Sequence, residues 1–338
     1  MIGTLLKALD ALPRRRHLLV GVSGGCDSLT LLRALSEAGF DKVIVCYFNH
    51  RLRPGALDRR LARLSARRFG YRFVSGRGDT RAWADQRRLS LETAARELRF
   101  AFFRDCARQY GTRALVLAHH ADDQEETIFL NLFRGAGLRG LGGMAPHRRM
   151  GGIEVFRPWL DIPSKTIREA AQLWRVRFSE DPSNTDRSHT RNRLRHDLIP
   201  AIRAIFRESS RDSLLRMARI VRLEDGFLDS LVPAVSTEIS VMTLRALPEA
   251  IARRWIRAWL LARGVPEPGW AEVSEVFRLI ESATPKVNLP GNLHARRRSG
   301  RIFIESPQKE GKQKGRKRRA ARLTPRSPPL GATQEMLP

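Results

Sequence analysis

Ser23-Gly24-Gly25-Cys26-Asp27-Ser28 is the stretch on which the fold turns. An aliphatic and β-branched run ends just before it at Val22, and an apolar run compatible with a helix follows from Leu29 to Leu35. A strand, a glycine turn and a helix start therefore meet there. Two glycines allow a tight turn that presents backbone N–H groups, and a helix N-terminus adds partial positive charge, so the site suits a phosphate. Asp27 can hold a magnesium ion against such phosphates, while Ser23 and Ser28 can donate hydroxyl hydrogen bonds. The stretch lacks the lysine of a Walker A motif, which argues against the usual γ-phosphate transfer machinery. An ordinary strand-to-helix turn would show the same short pattern.

Working outward, strand-like runs recur at His17–Val22, Val43–Phe48, Tyr71–Val74 and Ala114–Ala118, with helical patterning in every interval. That alternation predicts an α/β fold with a parallel sheet. Between the second and third strands, residues 56–69 read as a helix carrying Arg59, Arg63 and Arg67 on one stripe, a candidate RNA-contacting surface or a plain solvated face. Ser90 is placed to cap a helix whose Leu91, Ala94, Ala95, Leu98 and Phe102 bury one side. The glycine-rich run Arg134–Gly143 reads as a mobile loop beside the active edge of the sheet.

The alternation stops near Pro200, where a long helical pattern runs from about Ser209 to Leu231. The expected organisation is a catalytic domain over residues 1–200, a smaller and mainly helical domain over 201–306, and a basic tail over 307–338. The second domain shows helices near Leu247–Arg263 and Trp270–Ser282, then a glycine-broken strand pair through Leu293–Glu305. Trp255 and Trp259 read as core, while Arg253, Arg254 and Arg257 lie elsewhere on the same helix and suit phosphate contacts. Residues 309–326 are almost purely basic without apolar periodicity, which predicts a disordered electrostatic arm.

A second polar cluster, His119-His120-Ala121-Asp122-Asp123-Gln124-Glu125-Glu126-Thr127, follows the fourth strand and opens a helix. In open α/β sheets ligands sit beyond the carboxyl ends of the strands, and both clusters occupy such ends. On a helix Asp122 and Asp123 each lie within a turn of Glu126, so the carboxylates can converge on one cation or amine. The helix dipole alone favours acids in a first turn, but it does not account for the histidine pair. A two-metal phosphoesterase and an ATP-consuming ligase both fit this cluster. The glycine loop decides for the ligase, because a two-metal hydrolase has no need of a separate phosphate cradle.

Composition narrows the partners. Lys and Arg number 62 against 35 Asp and Glu, a net charge of +27, which attracts a polyanion over long range. Nucleic acid is the expected partner, and no amphipathic anchor points to a membrane. The N-terminus shows no signal-peptide pattern and no apolar run spans a bilayer. Three cysteines without paired spacing, Cys26, Cys46 and Cys106, exclude a disulfide framework and point to a reducing, cytoplasmic setting.

Several motifs together resemble a known family. Ser23–Ser28 is similar to the SGGxDS loop of the N-type ATP pyrophosphatases, the PP-loop superfamily with its adenine nucleotide alpha hydrolase-like, Rossmann-like fold. Asn49-His50-Arg51-Leu52-Arg53, the segment from His119 to Thr127, Arg134–Leu141, Arg157-Pro158-Trp159-Leu160 and the stretch from Asp181-Pro182-Ser183-Asn184 to Arg191–Arg195 resemble the tRNA(Ile)-lysidine synthetases. The similarity covers roughly residues 18–200 and weakens beyond. Cys26 stands where many relatives carry proline, Asn49 where many carry aspartate, and the C-terminal part is shorter than in the long members.

The resemblance implies ATP and Mg2+ as cofactors, and L-lysine and the isoleucine tRNA with a CAU anticodon as partners, with a homodimer one assembly open to the chain. It implies a nucleotide site of Ser23, Gly24, Gly25, Cys26, Asp27, Ser28 and His50, with Asp27 holding the metal. Asp123 and Glu126 would lie near the lysine amines, and Asn184 and Arg195 would complete that pocket, with Arg195 on the lysine carboxylate. His50 and His119 are expected either to shape the pocket or to take part in chemistry. The alternatives are another PP-loop tRNA-modifying enzyme, and a non-catalytic ATP-responsive RNA-binding protein.

Overall fold

The computed structural model describes residues 1–180, 186–188, 190–207, 209–282 and 285–305. Asn184, the turn at residues 181–184 and the basic segment 309–326 lie outside the described residues. The chain divides into two compact units, Met1–Val221 and a second that begins at Arg222. Among the described residues no helix is long and apolar enough to cross a membrane.

The first unit is built on a six-stranded sheet: β1 (Leu18–Gly21), β2 (Val43–Asn49), β3 (Arg72–Arg77), β4 (Ala114–Val116), β5 (His147–Met150) and β6 (Ile153–Phe156). Their order across the sheet is β3-β2-β1-β4-β6-β5. All pairs are parallel except β5 with β6. Val43 to Phe48 are all buried, as expected of a parallel strand covered on both faces. Leu19, Ile44 and Leu115 face one core with Phe102 and Phe103 of helix Leu91–Gln109. Val20, Val45 and Val116 face the other, with the leucines of helix Cys26–Glu37. Adjacent residues thus serve opposite layers, the period-2 consequence of a pleated strand.

Leu29, Leu31, Leu32 and Leu35 of helix Cys26–Glu37 are at most 1 % exposed, and each such side chain contributes roughly 1.5–3 kcal/mol of apolar burial. Ser90 caps helix Leu91–Gln109 as expected, its Oγ accepting the Thr93 N–H at 3.2 Å.

The sheet order positions the site. The chain runs from β1 outward to β2 and β3, then returns to place β4 on the other side of β1. The carboxyl ends of β1 and β4 are therefore neighbours at a topological switch point, where doubly wound sheets leave a crevice. The segments after these strands are the glycine loop and the histidine–acid run, which sequence separates and topology reunites.

The β5–β6 hairpin is absent from the sequence reading. Its turn is Gly151-Gly152, both with positive φ, the backbone a two-residue hairpin turn demands. Its outer strand, His147-Arg148-Arg149, is exposed, so it carries edge charges in place of an apolar alternation. The run Arg134–Gly143 contains a helical turn, Leu138–Leu141. It is tied down by Asn131 Nδ2 donating to the Gly140 carbonyl at 2.8 Å and by Gln124, whose amide donates to the Met144 carbonyl and accepts the Met144 N–H.

In the second unit the expected strand pair is part of a four-stranded antiparallel sheet, ordered β7-β10-β9-β8: β7 (Ile239–Ser240), β8 (Lys286–Leu289), β9 (Leu293–Arg298) and β10 (Arg301–Glu305). The outer strands β7 and β8 are too short to show periodicity in sequence. Helices Glu249–Ala262 and Trp270–Arg278 supply the rest of the core, with Trp255 5 % and Trp259 0 % exposed. Both tryptophans are core residues.

Candidate active site

Gly24 is fixed by two constraints. Its φ is +89°, and a Cβ there would lie 2.7 Å from the Asp58 Cα, so the loop turns left-handed while pressed on helix Ala56–Arg68. The two serines then lock the loop: the Ser23 N–H donates to Ser28 Oγ at 3.2 Å, Ser28 Oγ donates to the Gly25 carbonyl at 3.1 Å, and the Gly25 N–H donates to Ser23 Oγ at 3.3 Å. Gly25 is the N-cap of helix Cys26–Glu37 and offers no side chain to its first turn, so N–H groups there are left for an external acceptor.

Cys26 is buried, and its thiol is pushed up by burial and by the neighbouring Asp27 carboxylate. Asp27 points into a cavity of about 580 Å3.

The opposite wall of that cavity is helix Ala121–Phe133. His120 is its N-cap, with Nδ1 accepting the Asp123 N–H at 3.4 Å while Asp123 Oδ2 accepts the His120 N–H at 3.2 Å. This reciprocal cap fixes the imidazole, whose Nε2 stands 3.6 Å from Asp27 Oδ2. Burial pulls the His120 pKa down, but the bond to Asp27 and the charges of Asp123, Asp27 and Asp122 outweigh it and push it up to about 8. His120 therefore joins the loop after β1 to the helix after β4.

The four acids of this helix separate into two ion clusters. Glu126 is 0 % exposed and accepts from Arg191 Nε at 2.5 Å and Arg195 Nε at 2.6 Å. Asp123 Oδ1 accepts from Arg191 Nη2 at 3.2 Å. Burial lowers both guanidinium pKa values, yet the Asp123 and Glu126 charges raise them above the usual arginine value.

The second cluster holds Glu125, 1 % exposed, between Arg203 and Arg211. Arg211 also reaches Asp122 at 2.8 Å, and Asp122 Oδ2 accepts the Ser164 N–H at 2.8 Å from the start of helix Ser164–Leu173. The Ser164 and Arg211 contacts hold the Asp122 carboxyl below its usual range against the opposing effect of burial. The helical spacing admits Asp122 and Glu126 as partners, but the structure pairs Asp123 with Glu126 and Asp122 with Glu125.

Ser23, Gly25, Cys26, Asp27, Asp123, Glu126 and Arg195 all line this one cavity. His119 and His50 do not. His119 is turned away to Arg157, whose Nε donates to its Nδ1 at 3.2 Å, and burial with the Arg157 charge pushes its pKa well down. His50 packs edge-on to Phe48 at 4.9 Å, and burial and Arg99 lower its pKa to about 4.

Of the candidate RNA-binding arginines, Arg253 and Arg254 are engaged by neighbours in the second unit. Arg59 and Arg63 are half-buried with partners, and Arg67 is exposed. Arg253 binds Glu249 at 2.6 Å and Ser274 at 2.9 Å and lies over the Trp270 and Phe277 rings. Arg254 binds Asp225 and Asp229, each at 2.7 Å, and Arg257 has partners as well.

Sequence reasoning missed the roles of His120, Arg191, Arg203 and Arg211. Arg191 lies within a quoted motif; Arg203 and Arg211 sit on amphipathic helices where nothing in sequence marks them.

Among the described residues no group of three or more His, Cys, Asp or Glu side chains gathers as a metal cage. Magnesium bound through one or two carboxylates plus substrate phosphates needs no cage, and Asp27, partly exposed in the cavity, fits that mode.

An open parallel sheet with a serine- and glycine-locked phosphate loop at its switch point defines a PP-loop nucleotide-binding protein, and residues 2–202 match the model of the PP-loop domain. The fold is shared with the U34-tRNA thiolase NcsA from Methanococcus maripaludis, at a TM-score of 0.52 and 15 % identity over 65 % of this chain and 78 % of that one. Residues 240–303 match the TilS substrate binding domain. The tRNA(Ile)-lysidine synthase of Geobacter sulfurreducens is 36 % identical over 82 % of this chain and 61 % of its own length. That of Streptomyces coelicolor is 34 % identical over 87 % of this chain and 86 % of its own. The chain belongs to the tRNA(Ile)-lysidine synthase family. It spans about three-fifths of the length of the first of these relatives.

Proposed function

We propose that this protein joins L-lysine to C2 of the wobble cytidine of the CAU-anticodon isoleucine tRNA, using ATP and forming lysidine. The observation that carries this reading is the single cavity whose walls are the Ser23–Asp27 loop and the Asp123–Glu126 turn. One wall suits a polyphosphate and the other an amino acid, as a two-substrate ligation requires.

In the first step the cytosine O2 attacks the α-phosphate of ATP and pyrophosphate leaves. First-turn N–H groups of helix Cys26–Glu37 would bind the departing charge by fixed dipoles, with no reorganisation during reaction. Magnesium, held by Asp27 and substrate phosphates, would add Lewis-acid stabilisation of those oxygens.

In the second step an ε-ammonium proton passes to a carboxylate of the Asp123–Glu126 wall, the freed lysine ε-amine attacks C2, the bond from C2 to O2 breaks and AMP departs. Free lysine is protonated near pH 7, so the site must first accept an ammonium. Asp123 and Glu126 already hold two guanidinium groups, which indicates that they accept organic cations. Lysine would enter by exchange, its ammonium taking a carboxylate while Arg195 turns its fork to the lysine carboxylate. The U34-tRNA thiolase that shares the fold carries a 4Fe-4S cluster. Here Cys46 and Cys106 are buried together beneath the sheet and only Cys26 borders the cavity.

Incubation with tRNA transcript, ATP and lysine, followed by mass spectrometry of the nucleosides, tests the reading. Lysidine is expected, and Glu126→Gln should cut its formation by about 100-fold or more while leaving ATP binding within about twofold. Binding of ATP and RNA with neither pyrophosphate release nor a modified cytidine would overturn it in favour of a non-catalytic ATP-responsive RNA binder.

A further inference from the structure

On the same carboxyl edge of the sheet, outside the cavity just described, four arginines gather, and among the described residues the carboxylate acting on them is Glu92, which raises Arg96. Arg96 and Arg99 lie on helix Leu91–Gln109, Arg148 on β5, and Arg157 directly follows β6. His50 and His119, from the segments after β2 and β4, stand among them. Arg157, 4 % exposed, donates to two neutral acceptors, His119 Nδ1 at 3.2 Å and the Ala145 carbonyl at 2.8 Å. Arg96 lies over the Phe100 ring at 5.0 Å. Arg99 Nε and His50 Nδ1 are buried with no hydrogen-bond partner among the described residues.

The charges acting on Arg99 are Arg96 and Arg191, and those acting on Arg157 are Arg96 and Arg148. With burial they lower both guanidinium groups to about 10. Both remain cationic near pH 7 and the charges acting on them are arginines alone, so the recess carries net positive charge that Glu92, beside Arg96, offsets only in part. Concentrated cations with buried orphan donors are stable only at a cost that an anion removes.

From these observations the geometry points to a phosphate-binding recess, lined by Arg96, Arg99, Arg148 and Arg157, that takes a backbone phosphodiester of the RNA beside its target base. Planar guanidinium forks at the recess match phosphate oxygens bidentately. The nucleotide's own phosphates have their cradle in the separate cavity. Arg191 connects the two places: it binds Glu126 and Asp123 and its charge acts on Arg99 and His119. A phosphodiester held here would bring a splayed base to the acidic wall, in keeping with single-stranded loops being where RNA sequence is read. This rests on the proposed function for the identity of the RNA, and on the recess alone for its chemistry.

The test uses the full chain, an RNA hairpin with the CAU anticodon loop, and Mg-ATP as a separate probe. Arg148 is exposed and its guanidinium forms no bond among the described residues, so Arg148→Ala should leave the fold intact, and Arg96→Ala is its companion. The double variant should bind the hairpin about five- to tenfold more weakly, with the salt slope reduced by about 1–2 and Mg-ATP affinity unchanged. Arg148→Lys should recover part of the loss. Hairpin affinity and salt slope equal to the starting protein in Arg148→Ala and in the double variant would overturn the recess. A parallel fall in Mg-ATP affinity would overturn its assignment to RNA. Lysidine formation by the unsubstituted chain is scored separately, so its absence would sink the proposed function while the hairpin titration still decides the recess.

Discussion

The glycine loop and the acid-bearing helix face one cavity but are built by opposite means. The side-chain bonds that lock the loop all join residues between Ser23 and Ser28, with one distant backbone bond, from the Ser179 N–H to the Gly24 carbonyl at 3.0 Å, added to them. The acids of helix Ala121–Phe133 are instead held by arginines 65 to 89 residues away. The loop is mostly local backbone geometry, built from neutral hydrogen bonds rather than ion pairs. The acidic wall is a set of long-range ion pairs that exists only once Met1–Val221 has folded. One site thus combines a part that can form early with a part that reports the completed unit.

Removing a carboxylate from the buried pairs should produce the largest effect. Glu125→Ala leaves Arg203 and Arg211, 22 % and 13 % exposed, with Asp122 alone, and is expected to cost about 3–5 kcal/mol. Urea unfolding measures it, and a loss under about 1 kcal/mol would mean that the distant arginines do not hold this wall. The loop should respond to shape. Gly24→Ala forces a Cβ onto the Asp58 Cα at 2.7 Å in a left-handed conformation, expected to cost about 2–3 kcal/mol and to raise the KM for ATP. Gly25→Ala is the matched control, since its nearest contact is Ser23 Oγ at 3.4 Å. It should cost less than about 1 kcal/mol; equal effects at both glycines would erase the geometric account.

A third effect belongs to neither wall but to the edge beside them. His50 is neutral in the fold because burial and Arg99 lower its pKa to about 4 from 6.5. In the unfolded chain it binds a proton below about 6.5, so the unfolded state holds more protons between pH 6.5 and 4. Stability should therefore fall as pH drops through that window and be unaffected by His50 above it. Allowing for partial exposure, the full effect is about 2 kcal/mol. His50→Gln should flatten this part of the profile, and an unchanged slope would show that His50 is not buried neutral.

The same division explains what could be read in advance. The loop, four of the five parallel strands and the Ser90 cap are local patterns, legible within short stretches such as residues 18–28, 43–48 and 90–98. Helical spacing beside a strand end marks Asp122, Asp123 and Glu126 together, and only the family resemblance singles out Asp123 with Glu126. Arg203 and Arg211 were not legible, because a guanidinium on an amphipathic helix looks the same whether it meets water or a carboxylate brought in from 78 or 86 residues away. His119 and His120 were indistinguishable as a pair. The turn that makes His120 the helix cap sends it into the cavity and its neighbour back to Arg157. The β5 strand stayed hidden because an edge strand needs charge where a central one needs aliphatics.

The smallest effect sharpens the comparison at a single atom. A thiol at a helix N-terminus has two opposed influences: the helix dipole favours thiolate, while burial and a neighbouring carboxylate disfavour it. At Cys26 burial comes first and Asp27 second, and together they outweigh the lowering influence of Thr30 and Arg168. The thiol should therefore stay protonated near pH 7.5, and iodoacetamide should label it more than about tenfold more slowly than free cysteine. Asp27→Asn removes the second influence and should speed labelling slightly. Fast labelling of the unsubstituted chain would mean that the loop's amides polarise this sulfur more strongly than its surroundings suppress it. The phosphate cradle would then be more electropositive than its hydrogen-bond pattern implies.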